Sequence, residues 1–98
     1  MGTYVLLTKL TPDVTRDIKD REKIGKKWMD TVHRTCPGVK WTAHYALLGP
    51  YDFMDIFEAP NEEVAAKVSM ITLSTGASQT ESWTAIPYHR FLELVKEI

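Results

Sequence analysis

Residues 39–59 read VKWTAHYALLGPYDFMDIFEA, which is two strand-like stretches on either side of a Gly-Pro pair. Both stretches are rich in the aromatic and aliphatic residues that favour strands, and a Gly-Pro pair between two such stretches is typical of a tight turn. The sequence therefore predicts a β-hairpin, with one strand from Val39 to Leu48 and the other from Tyr51 to Glu58.

Helices are predicted on both sides of this hairpin. Upstream, apolar residues spaced mostly four apart predict a short helical turn over residues 12–18 and a main helix over residues 20–35, with Asp20 as its N-cap. The Cys-Pro-Gly triplet at residues 36–38 ends this helix, because proline cannot continue it and glycine tolerates a positive φ. Downstream, Asn61 is the predicted N-cap of a second helix.

Two more strands and a terminal helix complete the pattern. Residues Thr3 to Thr8 are apolar on both faces, which indicates a central strand covered from both sides. Thr80 to Ile86 form a fourth strand around Trp83, and an amphipathic helix follows Pro87. The order β-α-β-β-α-β-α predicts an α+β protein: a ferredoxin-like βαββαβ fold with a four-stranded antiparallel sheet and an added C-terminal helix.

Composition restricts the classes of partner. A chain of 98 residues has room for one domain, and its formal charge of −1 lacks the basic surface that nucleic acids require. No apolar run approaches the roughly 20 residues that span a bilayer. A lone cysteine, Cys36, and an N-terminus unlike a signal peptide favour the cytoplasm. We therefore expect a cytoplasmic protein with neither a nucleic-acid nor a membrane partner.

Strand alternation sorts the hairpin side chains into two faces. If the turn has an even number of residues, one face holds His44, Phe53, Asp55 and Phe57. The opposite face then holds Trp41, Tyr45, Met54 and Ile56. A β-bulge would interchange the two assignments.

On the even-turn interpretation, the helices cover the face with Trp41, and the face with Phe53 and Phe57 stays open. Two exposed phenylalanines in one patch are unusual in a monomer. We therefore expect a homodimer in which two sheets pack face to face around a two-fold axis. Pairing of the edge strands would extend this dimer to a higher oligomer. In an alternative arrangement, Phe91 of the terminal helix covers part of this face.

His44 and Asp55 are the candidate catalytic residues. On adjacent strands of a partly desolvated face, the carboxylate would orient the imidazole and raise its basicity, so that His44 serves as a general base near neutral pH. The alternative is a purely structural pair, either hydrogen-bonded or facing separate waters.

The candidate ligand-binding residues are Tyr51, Asp52, Phe53, Phe57 and Trp83. Tyr51 and Asp52 would lie at the mouth of a pocket, and Trp83 would offer a flat apolar wall to a small molecule. The structural interpretation of the turn is favoured for Asp52, whose side chain would cap backbone N–H groups.

Other chemistry lacks support in the sequence. His33, His44 and His89 do not show metal-ligand spacing, and His33 with Cys36 would supply only two ligands. Cys36 follows a helix C-terminus, where the dipole disfavours a thiolate. Glycine-rich phosphate loops and nucleophile elbows are absent from the sequence. We predict neither a metal nor a cofactor.

Several segments together resemble the GYD-domain family, which is named for its glycine, tyrosine and aspartate. They are GPYDF at residues 49–53, IFEAP at 56–60, YVLL at 4–7 and IKD at 18–20. The resemblance covers nearly the whole chain and implies a single GYD-like domain over residues 1–98 with a fold of the dimeric α/β-barrel type. It implies no reaction.

Two functions follow as expectations. The first is a non-catalytic or regulatory homodimer that binds a small apolar or aromatic ligand, or a partner, between its sheets. The alternative is a cofactor-independent enzyme of the monooxygenase or isomerase kind that uses His44 and Asp55, with Tyr51 assisting.

Overall fold

The computed structural model describes residues 1–16 and 18–98. In this part of the chain the strands are β1 (Gly2–Leu10), β2 (Lys40–Ala46), β3 (Phe53–Ala59) and β4 (Ala77–Ala85). The helices are α1 (Pro12–Arg16), α2 (Arg21–Thr35), α3 (Glu62–Ser74) and α4 (Tyr88–Lys96), with a 3₁₀ turn at Ile18–Asp20. Residue 17, within the helix predicted over residues 12–18, lies outside the described residues. None of the described helices is long and apolar enough to cross a membrane.

The strands form one antiparallel sheet in the order β2-β3-β1-β4. Because β1 lies inside the sheet, side chains on both of its faces are buried: Leu6 is 0% exposed and Leu7, on the opposite face, is 6% exposed. The predicted ferredoxin-like α+β fold with an added C-terminal helix is confirmed.

The helices α2 and α3 cover one face of the sheet, which we call the inner face. Trp28 and Val32 of α2 join Val68 of α3 in a core with Leu6 and Phe57 of the sheet. The predicted N-terminus of α3 and the predicted C-terminus of α2 are confirmed. Asn61 caps α3 by accepting a 3.0 Å hydrogen bond from the backbone N–H of residue 64, and α2 ends immediately before the Cys-Pro-Gly triplet.

The predicted assignment of the faces is partly wrong. His44 lies opposite Asp55 and shares a face with Phe53 and Phe57, as predicted, but the helices cover this face. The expectation that it stays open, and that the face with Met54 and Ile56 is the core, is wrong. The register shifts between Trp41 and Ala43, so that Trp41 lies opposite Phe57 on the inner face. Because of this irregularity, Trp41 and Tyr45 lie on opposite faces of the sheet, although strand alternation predicted one shared face.

A sheet-to-sheet contact through Phe53 and Phe57 is therefore excluded, because Phe57 is 0% exposed beneath the helices. The exposed apolar side chains lie elsewhere. Tyr45 and Trp83, on the opposite or outer face of the sheet, are each about half exposed. The helix α4 has no buried residue, and Phe91 stacks on Tyr88 of the same helix instead of covering His44.

Candidate functional site

A cavity of about 590 Å³ lies between α2 and the inner face of the sheet. Strand residues that share this face form one wall: Thr8, Leu10, His44, Phe53, Asp55 and Ala77. The opposite wall is α2, from Arg21 to Asp30, and the C-terminal end of α3 closes one side. The cavity thus lies beside residues 21–30 of α2, which precede the core residue Val32.

His44 and Asp55 form one polar cluster in this cavity. They lie opposite each other on β2 and β3, and Nδ1 of His44 is hydrogen-bonded to Oδ1 of Asp55. The Asp55 side chain is 2% exposed, whereas that of His44 is 54% exposed. The imidazole stacks on Phe53 and Trp28, with ring centroids 5.7 and 6.2 Å away. The ring is thus held in orientation at both its edge and its faces.

Burial has the largest effect on the electrostatics of the Asp55 carboxyl. Burial raises the pKa of the Asp55 carboxyl above its usual value, and the hydrogen bond and charge of His44 oppose this rise only in part. A carboxylate that accepts from Nδ1–H leaves Nε2 as the proton-accepting nitrogen of the neutral ring. The arrangement can therefore hold or accept a proton beside the cavity.

A second hydrogen-bonded group supports the wall of the cavity. Trp28 Nε1–H donates to Thr72 Oγ1 at 2.8 Å, and the Thr72 hydroxyl donates to the Val68 carbonyl at 2.7 Å. These bonds satisfy the buried polar atoms of the tryptophan and the threonine. They also fix the indole, which belongs both to the core and to the cavity wall.

The structure brings together only some of the residues predicted for the site. His44, Asp55 and Phe53 line the cavity. Phe57 lies in the core, with the rings of Tyr4 and Trp41 at 5.6 and 5.2 Å.

The other three predicted ligand-binding residues lie outside the cavity lining found in the described residues. Trp83 is on the outer face, where its Nε1–H donates to Glu81. Tyr51 and Asp52 are in the loop between β2 and β3, and Asp52 Oδ2 accepts a 2.8 Å hydrogen bond from the Leu10 backbone N–H. This hydrogen bond is the backbone-capping role that the sequence predicted for Asp52, and it connects the loop to β1.

Sequence reasoning missed Arg21 and Gly25, which also line the cavity. The Arg21 Nε atom is buried and lacks a hydrogen-bond partner among the described residues. A Cβ atom added at Gly25 would have no neighbour within 4 Å. A glycine inside a helix is about 1 kcal/mol less favourable than alanine, so Gly25 was a signal that the sequence did contain.

In the part of the chain that the structure describes, His, Cys, Asp and Glu side chains form no group of three or more that could hold a metal ion. Cys36 is buried in the core beside Val32 and makes no disulfide. Its burial among apolar side chains gives it a packing role in this fold.

Nearly the whole chain matches the sequence profile of one known family. The sequence profile of the GYD domain matches residues 4–95. The chain belongs to the GYD domain family. In this GYD domain, the glycine, tyrosine and aspartate of the signature lie in the turn between β2 and β3, next to the cavity residue Phe53.

One relative of this GYD domain comes from Thermus thermophilus. It is named glutamine synthetase and cystathionine beta-lyase binding protein, and it is 35% identical over 88 residues. The match covers 89% of this chain and 90% of the relative.

Solved structures share the fold of this GYD domain. The crystal structure of a Thermus thermophilus protein matches with a TM-score of 0.58 and 22% identity, over 89% of this chain and 95% of that one. A Pyrococcus horikoshii protein matches with a TM-score of 0.54 and 21% identity, over 91% of this chain and 94% of that one. At these identities the likeness establishes the ferredoxin-like fold alone.

Proposed function

We propose that this GYD domain is a non-catalytic, regulatory domain that binds a small apolar or aromatic ligand. The supporting observation is the cavity beneath α2, whose volume of about 590 Å³ is within the usual range for small-molecule sites. The ligand site lies between helix and sheet in one chain and not between two sheets, because the helices cover the phenylalanine face.

The walls of the cavity favour a flat apolar molecule. Trp28 and Phe53 present aromatic rings, Leu10 and Ile24 add aliphatic surface, and Met29 supplies a flexible thioether. Aromatic walls stack on flat ligands, and methionine adapts to irregular shapes. A few polar groups at fixed positions would then orient the ligand.

Binding is tested with an uncharged aromatic probe, N-phenylnaphthylamine, whose fluorescence rises in apolar surroundings. A Gly25→Phe variant places a ring at the cavity wall, and Lys23→Phe adds the same ring to the exposed part of α2 outside this cavity. We expect saturable binding to the wild type and to Lys23→Phe, with an affinity at least about 10-fold lower for Gly25→Phe. Absent binding, or equal affinity for all three proteins, would contradict the proposal.

We propose further that the domain forms a homodimer through its outer sheet face and α4. Tyr45 and Trp83 on the sheet, and Tyr88 and Phe91 on the helix, are all at least half exposed. Exposed large apolar side chains in such number mark interaction sites. A second copy is the favoured occupant, since a two-fold contact would cover the sheet face and the helix of both chains together.

Native mass spectrometry of two glutamate variants tests this assembly. Trp83→Glu places a charge on the outer face, whereas Met70→Glu places one at an equally exposed apolar residue of α3. We expect dimers for the wild type and Met70→Glu, and monomers for Trp83→Glu. A monomeric wild type contradicts the proposed homodimer.

The partner of this dimer is proposed to be a metabolic enzyme. The support is the name of the Thermus relative, which describes binding to glutamine synthetase and cystathionine beta-lyase. Such a partner agrees with the cytoplasmic location predicted from the lone Cys36. Biolayer interferometry with each purified enzyme tests it, and absence of binding to both, with and without the aromatic probe, would contradict it.

A second candidate function is a cofactor-independent monooxygenase- or isomerase-like enzyme. The observation that favours it is the hydrogen bond from His44 to Asp55 at the cavity, which leaves Nε2 able to accept a proton. In that case His44→Gln should lower turnover of a bound substrate by about 100-fold or more. In a binding domain the same variant should change only the affinity for the ligand.

A further inference from the structure

Arg21 lines the cavity and has unused hydrogen-bonding capacity. It is the first residue of α2, and its Nη2 donates to the Thr15 carbonyl at 3.2 Å. Its Nε is buried and has no hydrogen-bond partner among residues 1–16 and 18–98. Arginine presents several donors in a planar fork that matches a carboxylate, and a buried donor without an acceptor is unfavourable.

Two ion pairs in the described part of the chain do not include Arg21. They join His44 to Asp55 and Arg90 to Glu93. Three other charged residues of α2 also line the cavity and are exposed: Glu22, Lys26 and Asp30. A ligand with a single negative charge could bind Arg21, whereas a ligand with several would be repelled by the two carboxylates.

The cavity has polar groups at two separate ends. Along α2, Arg21 and Trp28 are seven residues apart, which is about 10 Å of helix. The His44 ring stacks on Trp28, with its centroid 6.2 Å from that of the indole, so the histidine marks the end far from Arg21. Between these positions along α2, Ile24 and Gly25 add apolar lining to the cavity.

We infer that the ligand is an amphipathic monoanion, a monocarboxylate with an aromatic or aliphatic body, whose carboxylate binds the Arg21 guanidinium. Its body extends along α2 toward Trp28 and Phe53. This inference rests on the proposed ligand-binding function and adds the chemical class of the ligand. Arg21 favours a negatively charged group on the ligand, and the apolar lining of the cavity favours a flat or extended apolar body.

Displacement of bound N-phenylnaphthylamine by phenylbutanoate and by the matching uncharged phenylbutanamide tests the inference. The two competitors differ only in charge at the end that would meet Arg21. For the wild type we expect the carboxylate to compete at a concentration about 10-fold lower than the amide.

Variants assign this preference to Arg21. Arg21→Gln should abolish the preference, and Arg21→Lys should keep part of it because the charge remains without the fork. Lys23→Gln removes an exposed charge of α2 outside the cavity lining and should keep the full preference. Circular dichroism melting of each variant verifies that it is folded.

The outcomes separate the two proposals. If the probe does not bind the wild type, the ligand-binding function and this inference both fail. If the probe binds but the two competitors act equally, or neither displaces it, only the monocarboxylate inference fails. A preference for the carboxylate that survives in both Arg21→Gln and Arg21→Lys without change also overturns it.

Discussion

Replacing Asp55 with asparagine removes a buried carboxyl but keeps an oxygen that can accept the hydrogen bond from His44 Nδ1–H. The side chain of Asp55 is 2% exposed, and burial is the largest influence on its pKa, which is raised above the usual value of 3.8. The charged carboxylate is therefore destabilising in the folded protein even with its hydrogen bond.

The direction of the pH dependence follows from this raised pKa. Between the usual and the raised pKa, the folded protein retains the Asp55 proton more often than the unfolded chain does. The free energy of unfolding therefore falls as pH rises through this interval, and the full destabilisation is present above it. Asp55→Asn cannot ionise at this position, so it should lack this fall.

The expected gain is large enough to measure. Incompletely compensated burial of a polar group costs about 1–3 kcal/mol, so we expect Asp55→Asn to gain about that much stability near neutral pH. In a domain of this size each kcal/mol raises Tm by about 4–8 °C. Near the usual pKa of 3.8, where the folded protein retains the Asp55 proton more often than the unfolded chain does, the gain should shrink.

Urea denaturation followed by tryptophan fluorescence, repeated from about pH 4 to 8, measures both effects. Asp13→Asn, at an exposed carboxyl of α1, is the matched control and should leave stability nearly unchanged. If Asp55→Asn is less stable than the wild type near neutral pH, or has the same pH dependence, then burial does not dominate the energetics of this carboxyl.

Three other substitutions test local features by thermal or urea denaturation. Thr72→Val leaves the Trp28 N–H buried without its acceptor and should lower the free energy of unfolding by about 1–3 kcal/mol; unchanged stability would show that this bond is dispensable. Asn61→Ala removes the N-cap of α3 and should cost about 1 kcal/mol, whereas an equally stable variant would contradict the capping role. Gly25→Ala should raise stability by about 0.5–1 kcal/mol, because its Cβ meets nothing within 4 Å and alanine favours the helix; a loss would mean that this position is already packed.

The sequence by itself determined the elements and their order, because each depends on chemistry close along the chain. The Asn61 cap and the Cys-Pro-Gly stop act over a few residues, and each lies where it was predicted. The Gly-Pro pair lies between β2 and β3 as predicted, but the connection is a loop over residues 47–52 and not a tight two-residue turn. Where pairing between strands sets the end of a strand, the local sequence does not determine that end. The strand β4 begins at Ala77 and not Thr80, because it continues to pair with β1 as far as Leu10.

Only the tertiary structure decided which face of the sheet the helices cover. Alternation assigns side chains to shared faces, but both faces of this hairpin carry aromatic and aliphatic residues, so hydrophobicity does not distinguish them. The irregular pairing after Trp41 then moved that side chain beside Phe57. The cavity depends on the same choice: Arg21, His44 and Asp55 are distant in sequence, and only α2 packed against the inner face brings them to one site.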